Sequence, residues 1–182
     1  MTSPVQLPEA AQRDALTRLV AEARPAILMV THGRGGGVRR HVEELGRLVG
    51  DRFLVLHLVM AGAGHASLRS ADGAIVLHFS IPGEAALLAD VLRALGVVRV
   101  HFHHVHGHAP AVLALPQVLG VAYDWTLHDY TTICPQRVLA TPEGAYCGEP
   151  DPAGCDACLA ARPAPWAADI GSWRAIFAAS LA

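Results

Sequence analysis

An apolar run, AILMVT (Ala26 to Thr31), that stops at a glycine cluster and gives way to a helical pattern constrains this chain more than any other feature. A half-exposed strand would alternate apolar and polar positions, whereas a continuous run belongs to a strand covered on both faces. The segment that follows, GVRRHVEELGRLVG, spaces Val38, Val42, Leu45 and Val49 as one helical face and puts Arg39, Arg40, Glu43 and Glu44 on the others. Strand, glycine loop and helix form the first unit of an α/β fold.

The alternation continues along the chain. FLVLHLV (Phe53 to Val59) and AIVLHF (Ala74 to Phe79) read as strands, with AGAGHASLRSADG between them as a glycine-rich turn region. Pro82, Gly83 and Glu84 open a helical stretch through Leu95, and Gly96 stops it before the strand VVRVHF. A helix from Ala109 to Leu119, a strand VAYDWTLH and a last helix from Trp166 to Leu181 complete the pattern. It predicts a Rossmann-like parallel sheet with helices on both faces over residues 25–182, preceded by a helical extension over residues 1–24. Residues 130–165 depart from it: they hold six prolines and all four cysteines, and read as an irregular inserted loop.

Composition then limits the function classes. A net charge of −2 with neutral histidines provides no basic field for nucleic acid and no acidic tail. Glu9, Arg13, Asp14 and Arg18 interrupt the beginning where a signal peptide would be apolar, and no apolar run reaches the ~20 residues of a membrane helix. The expected compartment is the cytoplasm, where cysteines stay reduced and serve as ligands or buried thiols.

In parallel α/β sheets, ligands bind beyond the carboxyl ends of the strands, where helix N-termini present backbone N–H groups. Three polar segments fall there: His32 to Gly37, His103 to His108, and His128 with Asp129. Gly35, Gly36 and Gly37 allow a phosphate or diphosphate to approach the start of the next helix. The spacing is neither G-x-G-x-x-G nor a P-loop, and Leu58, Val59 and Met60 stand where a dinucleotide fold has an acid. A tight turn alone would also use these glycines.

The stretch HFHHVHGH carries five histidines in eight residues. Period two sends His101 and His103 to one face and Phe102 and His104 to the other, so one strand cannot bring all five to one metal. His104 and His108 could meet at the start of the next helix, but a zinc site needs a third ligand, and a neutral imidazole beside a substrate hydroxyl or phosphate suits the pattern better. His128 ends its strand with Asp129 alongside, which either caps backbone N–H groups in a turn or faces a ligand.

The cysteines Cys134, Cys147, Cys155 and Cys158 follow C-x12-C-x7-C-x2-C. Four soft ligands on a loop with no core of its own suit a tetrahedral structural zinc. A redox pair, an iron–sulfur cluster and four packed thiols are the alternatives.

Taken together, the glycine cluster with Arg39, Arg40 and His41, the segment Thr126-Leu127-His128-Asp129, Cys134-Pro135, Cys147 and Cys155-x-x-Cys158 resemble the family 4 retaining glycosyltransferases of GT-B fold. The resemblance runs from about Ala26 to the end. It is to the subgroup whose N-terminal domain carries a His-Asp-Tyr/Phe segment, a Cys-Pro and a Cys-x-x-Cys loop. It implies transfer of a sugar from a nucleotide-diphosphate sugar to a carbohydrate or lipid-linked acceptor, with retention, and peripheral membrane association of the full enzyme. Gly35, Gly36 and Gly37 would lie near the donor phosphates, His128 by the transferred sugar, and His104, His108 and Asp129 on the acceptor side. Family members bind the nucleotide mainly through a second Rossmann-like domain, which these residues do not supply. The chain is therefore expected to be the N-terminal, acceptor-side half, inactive alone. A phosphate-ligand binding module without catalysis and a small metal-dependent hydrolase are the other readings of the same residues.

Overall fold

The computed structural model describes residues 9–21, 24–73, 75–164, 166–167 and 169–181. The expected N-terminal extension is represented by helix α1, Glu9–Ala21, while residues 1–8 and 22–23 of that extension lie outside the described residues. No helix among the described residues is long and apolar enough to cross a membrane. The chain divides into two compact units, Met1–Thr126 and Leu127–Ala182.

The first unit is built on a six-stranded sheet. Its strands are β1 (Ala26–Thr31), β2 (Leu54–Gly62), β3 (His65–Ser70), β4 (Val76–Ser80), β5 (Val97–Phe102) and β6 (Ala122–Trp125), in the spatial order β4-β3-β2-β1-β5-β6. β1 occupies the interior of the sheet and is buried at every position, as its unbroken apolar run requires. It pairs in parallel with β2 on one side and β5 on the other, and β6 continues the parallel half.

Between β1 and β2 runs α2 (Gly37–Val49), and between β4 and β5 runs α3 (Ala85–Ala94). The last crossover is a 3-10 turn, Pro110–Ala114, leading into the short α4, Leu115–Leu119. Ile27, Met29, Val42 and Val55 form a core cluster joined by Val38, Leu45, Val49 and Phe53, which seats α2 on the face of the odd-numbered β1 residues. Right-handed crossovers in opposite directions from β1 place α3 and α4 on the other face, where α3 contributes buried Leu88, Ala89 and Leu92.

The sheet is mixed rather than wholly parallel. β3 runs antiparallel to both β2 and β4 and occupies the segment expected to be a turn region. Its sequence HASLRS has the composition of a turn, but Ser67 and Ser70 are buried with partners that satisfy them. Ser67 Oγ bonds His78 Nδ1 at 2.8 Å, and Ser70 Oγ accepts from Ile75 N at 2.9 Å. A buried serine is tolerated where its hydroxyl is bonded. The strand expected to reach His128 stops at Trp125, so Thr126, Leu127 and His128 lie outside it.

The second unit holds α5 (Pro152–Ala161) and α6 (Ile170–Leu181). α5 lies inside the stretch expected to be irregular. Pro152 opens it at the first helical position, and the Asp151 carboxylate caps it by accepting from Gly154 N at 2.9 Å. Leu159, Ile170, Trp173 and Phe177 are buried, and Trp166, Trp173 and Phe177 stack with ring centroids 5.3–5.9 Å apart. Loop residues are tied in by side chains: Trp173 Nε1 donates to Thr131 O at 2.7 Å and Gln136 Nε2 to Arg162 O at 2.6 Å.

Candidate functional site

Parallel pairing sets the carboxyl ends of β1 and β5 side by side, so the loops after them meet. His103 N and His104 N both donate to Val30 O, at 2.9 and 3.2 Å, and His108 Nε2 donates to Thr31 O at 2.8 Å. The carbonyl partner fixes the His108 tautomer: Nε2 carries the proton, and Nδ1 is buried with no hydrogen-bond partner among the described residues. Burial, followed by the neighbouring His104 and His32, lowers the His108 pKa to about 4 against the bond to Thr31. His108 is therefore a neutral imidazole at pH 7.

His32 and His104 meet edge to face at 4.6 Å. Each ring uses Nδ1 to accept a backbone N–H two residues ahead, from Arg34 and from His106, both at 3.1 Å. In the neutral form each therefore carries its proton on Nε2. Burial and then His104 lower the pKa of His32. The period-two reading holds on the other histidines: His101 and His103 stack at 4.1 Å, while Phe102 points to the opposite face and stacks on Trp125 at 4.6 Å. His103 lies 5.4 Å from His41 of α2, and His101 Nε2 bonds Thr126 Oγ1 at 2.8 Å.

The structure thus gathers His32, His104, His106 and His108 at one rim and directs His101 and His103 toward α2. His104 and His108 are only 5% and 2% exposed, so their role here is to build that rim. Gly107 sits in the same loop with φ 82, where a Cβ would come within 2.8 Å of Met60. Only glycine lets the histidine loop close onto β2's end.

Gly36 caps the start of α2 with φ 105, no side-chain cap bond and no acid in the first turn. The first-turn N–H groups of α2 thus keep an anion-attracting end. A Cβ at Gly35, Gly36 or Gly37 would meet nothing within 4 Å, so the space above the loop is open.

Beside this loop a cavity of about 450 Å³ runs between α2 and strands β2 and β3. Its cations and imidazoles are Arg34, Arg39, Arg69, His32 and His57, against one carboxylate, Glu43. Arg39 Nε is bonded to Glu43 at 2.7 Å, an exposed pair that holds little energy. Arg69 Nε is buried with no hydrogen-bond partner among the described residues, and burial lowers the His57 pKa. An unpartnered buried guanidinium N–H beside two further arginines is suited to receive an anionic oxygen. Sequence reasoning missed His57 and Arg69. His57 is the one polar residue in FLVLHLV, a signal that was available, while Arg69 belongs to the strand hidden by its turn-like composition.

In the second unit, His128 is half-buried, and Asp129 Oδ1 accepts from Thr131 N at 2.8 Å, the local capping bond that an aspartate makes at a turn. All four cysteines are unbridged, half-buried and on the wall of one cavity of about 200 Å³. No protein-family model, no curated protein and no solved structure matches the chain.

Proposed function

We propose that the chain is the acceptor-side half of a retaining glycosyltransferase that moves a sugar from a nucleotide-diphosphate sugar to a carbohydrate or lipid-linked acceptor. The observation that carries this reading is the arginine-lined cavity opening beside Gly35–Gly37 and the uncapped start of α2. A diphosphate or a phosphorylated acceptor needs close backbone approach, N–H donors and compensating cations. The loop, the helix end and Arg34, Arg39 and Arg69 offer them in that order.

Chemistry needs a nucleotide-binding domain as partner. On the acceptor side, the neutral ring of His32 holds hydroxyls by hydrogen bonds, without adding charge to a site where the departing phosphate is already negative, and the buried, neutral His108 builds the rim. His128 carries the role that the sequence resemblance implies, a polar group beside the transferred sugar.

The same cavity supports a second reading, a phosphate-ligand binding module without turnover. Amide-resolved NMR titration of the chain with uridine- and guanosine-diphosphate sugars and with inorganic phosphate tests what both share. The Gly35–Gly37 amides should shift, and silence of the loop with every ligand at about 10 mM, where a millimolar Kd would register, overturns both. Sugar transfer with the anomeric configuration retained, once a nucleotide-binding half is supplied, separates the enzyme from the binder.

A further inference from the structure

The cysteine-lined cavity of the second unit is independent of the sugar-transfer reading, and it receives ligand-bearing side chains from three separate structural pieces. Cys134 ends a turn, with Cys134 N bonded to Tyr130 O at 2.8 Å. Cys147 follows a small hairpin made by the Ala140–Tyr146 bridge and the Thr141 N to Ala145 O bond, and its own N–H bonds Leu139 O at 2.9 Å. Cys155 and Cys158 are three apart on α5, which puts both on one helix face. Residues distant in sequence converge here on one space of about 200 Å³.

We propose that Cys134, Cys147, Cys155 and Cys158 bind one zinc ion as a four-thiolate structural site. Three observations beyond the residue types support the assignment. First, none of the thiols is in a disulfide, although all four face one cavity. Second, sulfur acceptors are already provided with donors. Arg162 Nη2 donates to Cys158 Sγ at 2.9 Å, Arg174 Nη2 lies 4.0 Å from Cys155 Sγ, and the Gln136 backbone N–H bonds Cys134. Zinc with four thiolates carries a net charge of about −2, which two guanidiniums beside the sulfurs offset.

Third, the surroundings of the pair on α5 fit a metal better than a redox couple. Cys155 lies a turn inside the helix rather than at its N-terminus, where a reactive thiolate is usually stabilised. Gly154 is required for that seat, since a Cβ there would come within 2.8 Å of Pro150, whose carbonyl accepts from Cys155 Sγ at 3.6 Å.

No three of the four sulfurs lie within 4.8 Å of one another. Drawing four sulfurs to the ~2.3 Å Zn–S distance therefore pulls the turn, the hairpin and α5 together. The ion substitutes for a core in a loop whose only buried side chains are few. Protons leave the thiols as the metal enters, so no oxidant or reductant takes part.

The test uses the whole chain expressed without added metal. Elemental analysis should find about one zinc per chain, and replacement by Co²⁺ should give intense sulfur-to-cobalt absorption with tetrahedral visible bands. Cys134→Ser and Cys155→Ser should each lower retained zinc at least about fivefold, because a closed site tolerates no missing ligand. If those variants fail to fold, thiol titration of the wild-type protein decides: the four thiols should react slowly until a chelator removes the metal. Metal-free protein with four promptly reactive thiols and no cobalt bands overturns the site. Iron with acid-labile sulfide in place of zinc overturns it equally.

Discussion

Acidification should destabilise the protein through His108, by an amount that follows from its lowered pKa. His108 is 2% exposed, donates to Thr31 O at 2.8 Å, and has its pKa lowered from 6.5 to about 4. Above pH 6.5 the ring is neutral in folded and unfolded chains alike, and contributes no pH dependence. Below it, the unfolded chain takes up a proton that the folded chain refuses, so stability falls until pH reaches about 4. Each pH unit between the unfolded and folded pKa values removes about 1.4 kcal/mol, so the loss approaches about 3 kcal/mol over that window.

Other groups titrate in the same range, His32 and His57 among them, each with its pKa lowered by burial first. The comparison is therefore with His108→Gln, whose side-chain amide keeps a donor toward Thr31 O and does not ionise. Urea midpoints followed by circular dichroism from pH 7 to pH 4 should show the wild type losing about 3 kcal/mol more than the variant. Parallel curves would refute the reasoning. So would a His108 ring that titrates near 6.5 by NMR, a measurement that does not depend on the variant folding.

The other expectations concern the glycine loop and the second unit. A Cβ at Gly35 meets nothing, so Gly35→Ala should leave the melting temperature unchanged and weaken phosphate or nucleotide-sugar binding, whereas Gly36→Val also carries the strain of φ 105, about 1–3 kcal/mol; equal affinity for Gly35→Ala would leave the loop as a turn only. His128→Ala, in the enzyme completed by its nucleotide-binding domain, should lower kcat by ~10²-fold with the fold intact by circular dichroism, and a loss of only a few-fold would remove His128 from the chemistry.

How far the sequence revealed this arrangement differs between neighbouring elements. β1 and α2 were legible because their apolar periods are unambiguous and the core cluster of Ile27, Met29, Val42 and Val55 realises both. β3 was not, because Ser67 and Ser70 look like turn residues until His78 and Ile75 are seen to bond them. The same blindness hid Arg69 and left the cavity without its floor. α5 buries Leu159 alone, so it has no apolar stripe to read, though Asp151 followed by Pro152 was an available start signal. The histidine run could be recognised as unusual, but its division between rim and α2 face depends on the register of β5 against β1, in which His101 stands opposite Met29.

That register also sets an order of assembly. β1, β2, β3 and β4 are consecutive in the chain and neighbours in the sheet, so all pairing on that side of β1 is complete within residues 26–80. The other edge of β1 waits for β5 at residues 97–102, across a longer and costlier closure. The Val30–His103, Val30–His104 and Thr31–His108 bonds all cross this late seam, so the histidine rim cannot precede it. Pulse-labelled hydrogen exchange during refolding should protect β2 and β3 amides before those of His103 and His104, and simultaneous protection would show that the sheet closes as one piece.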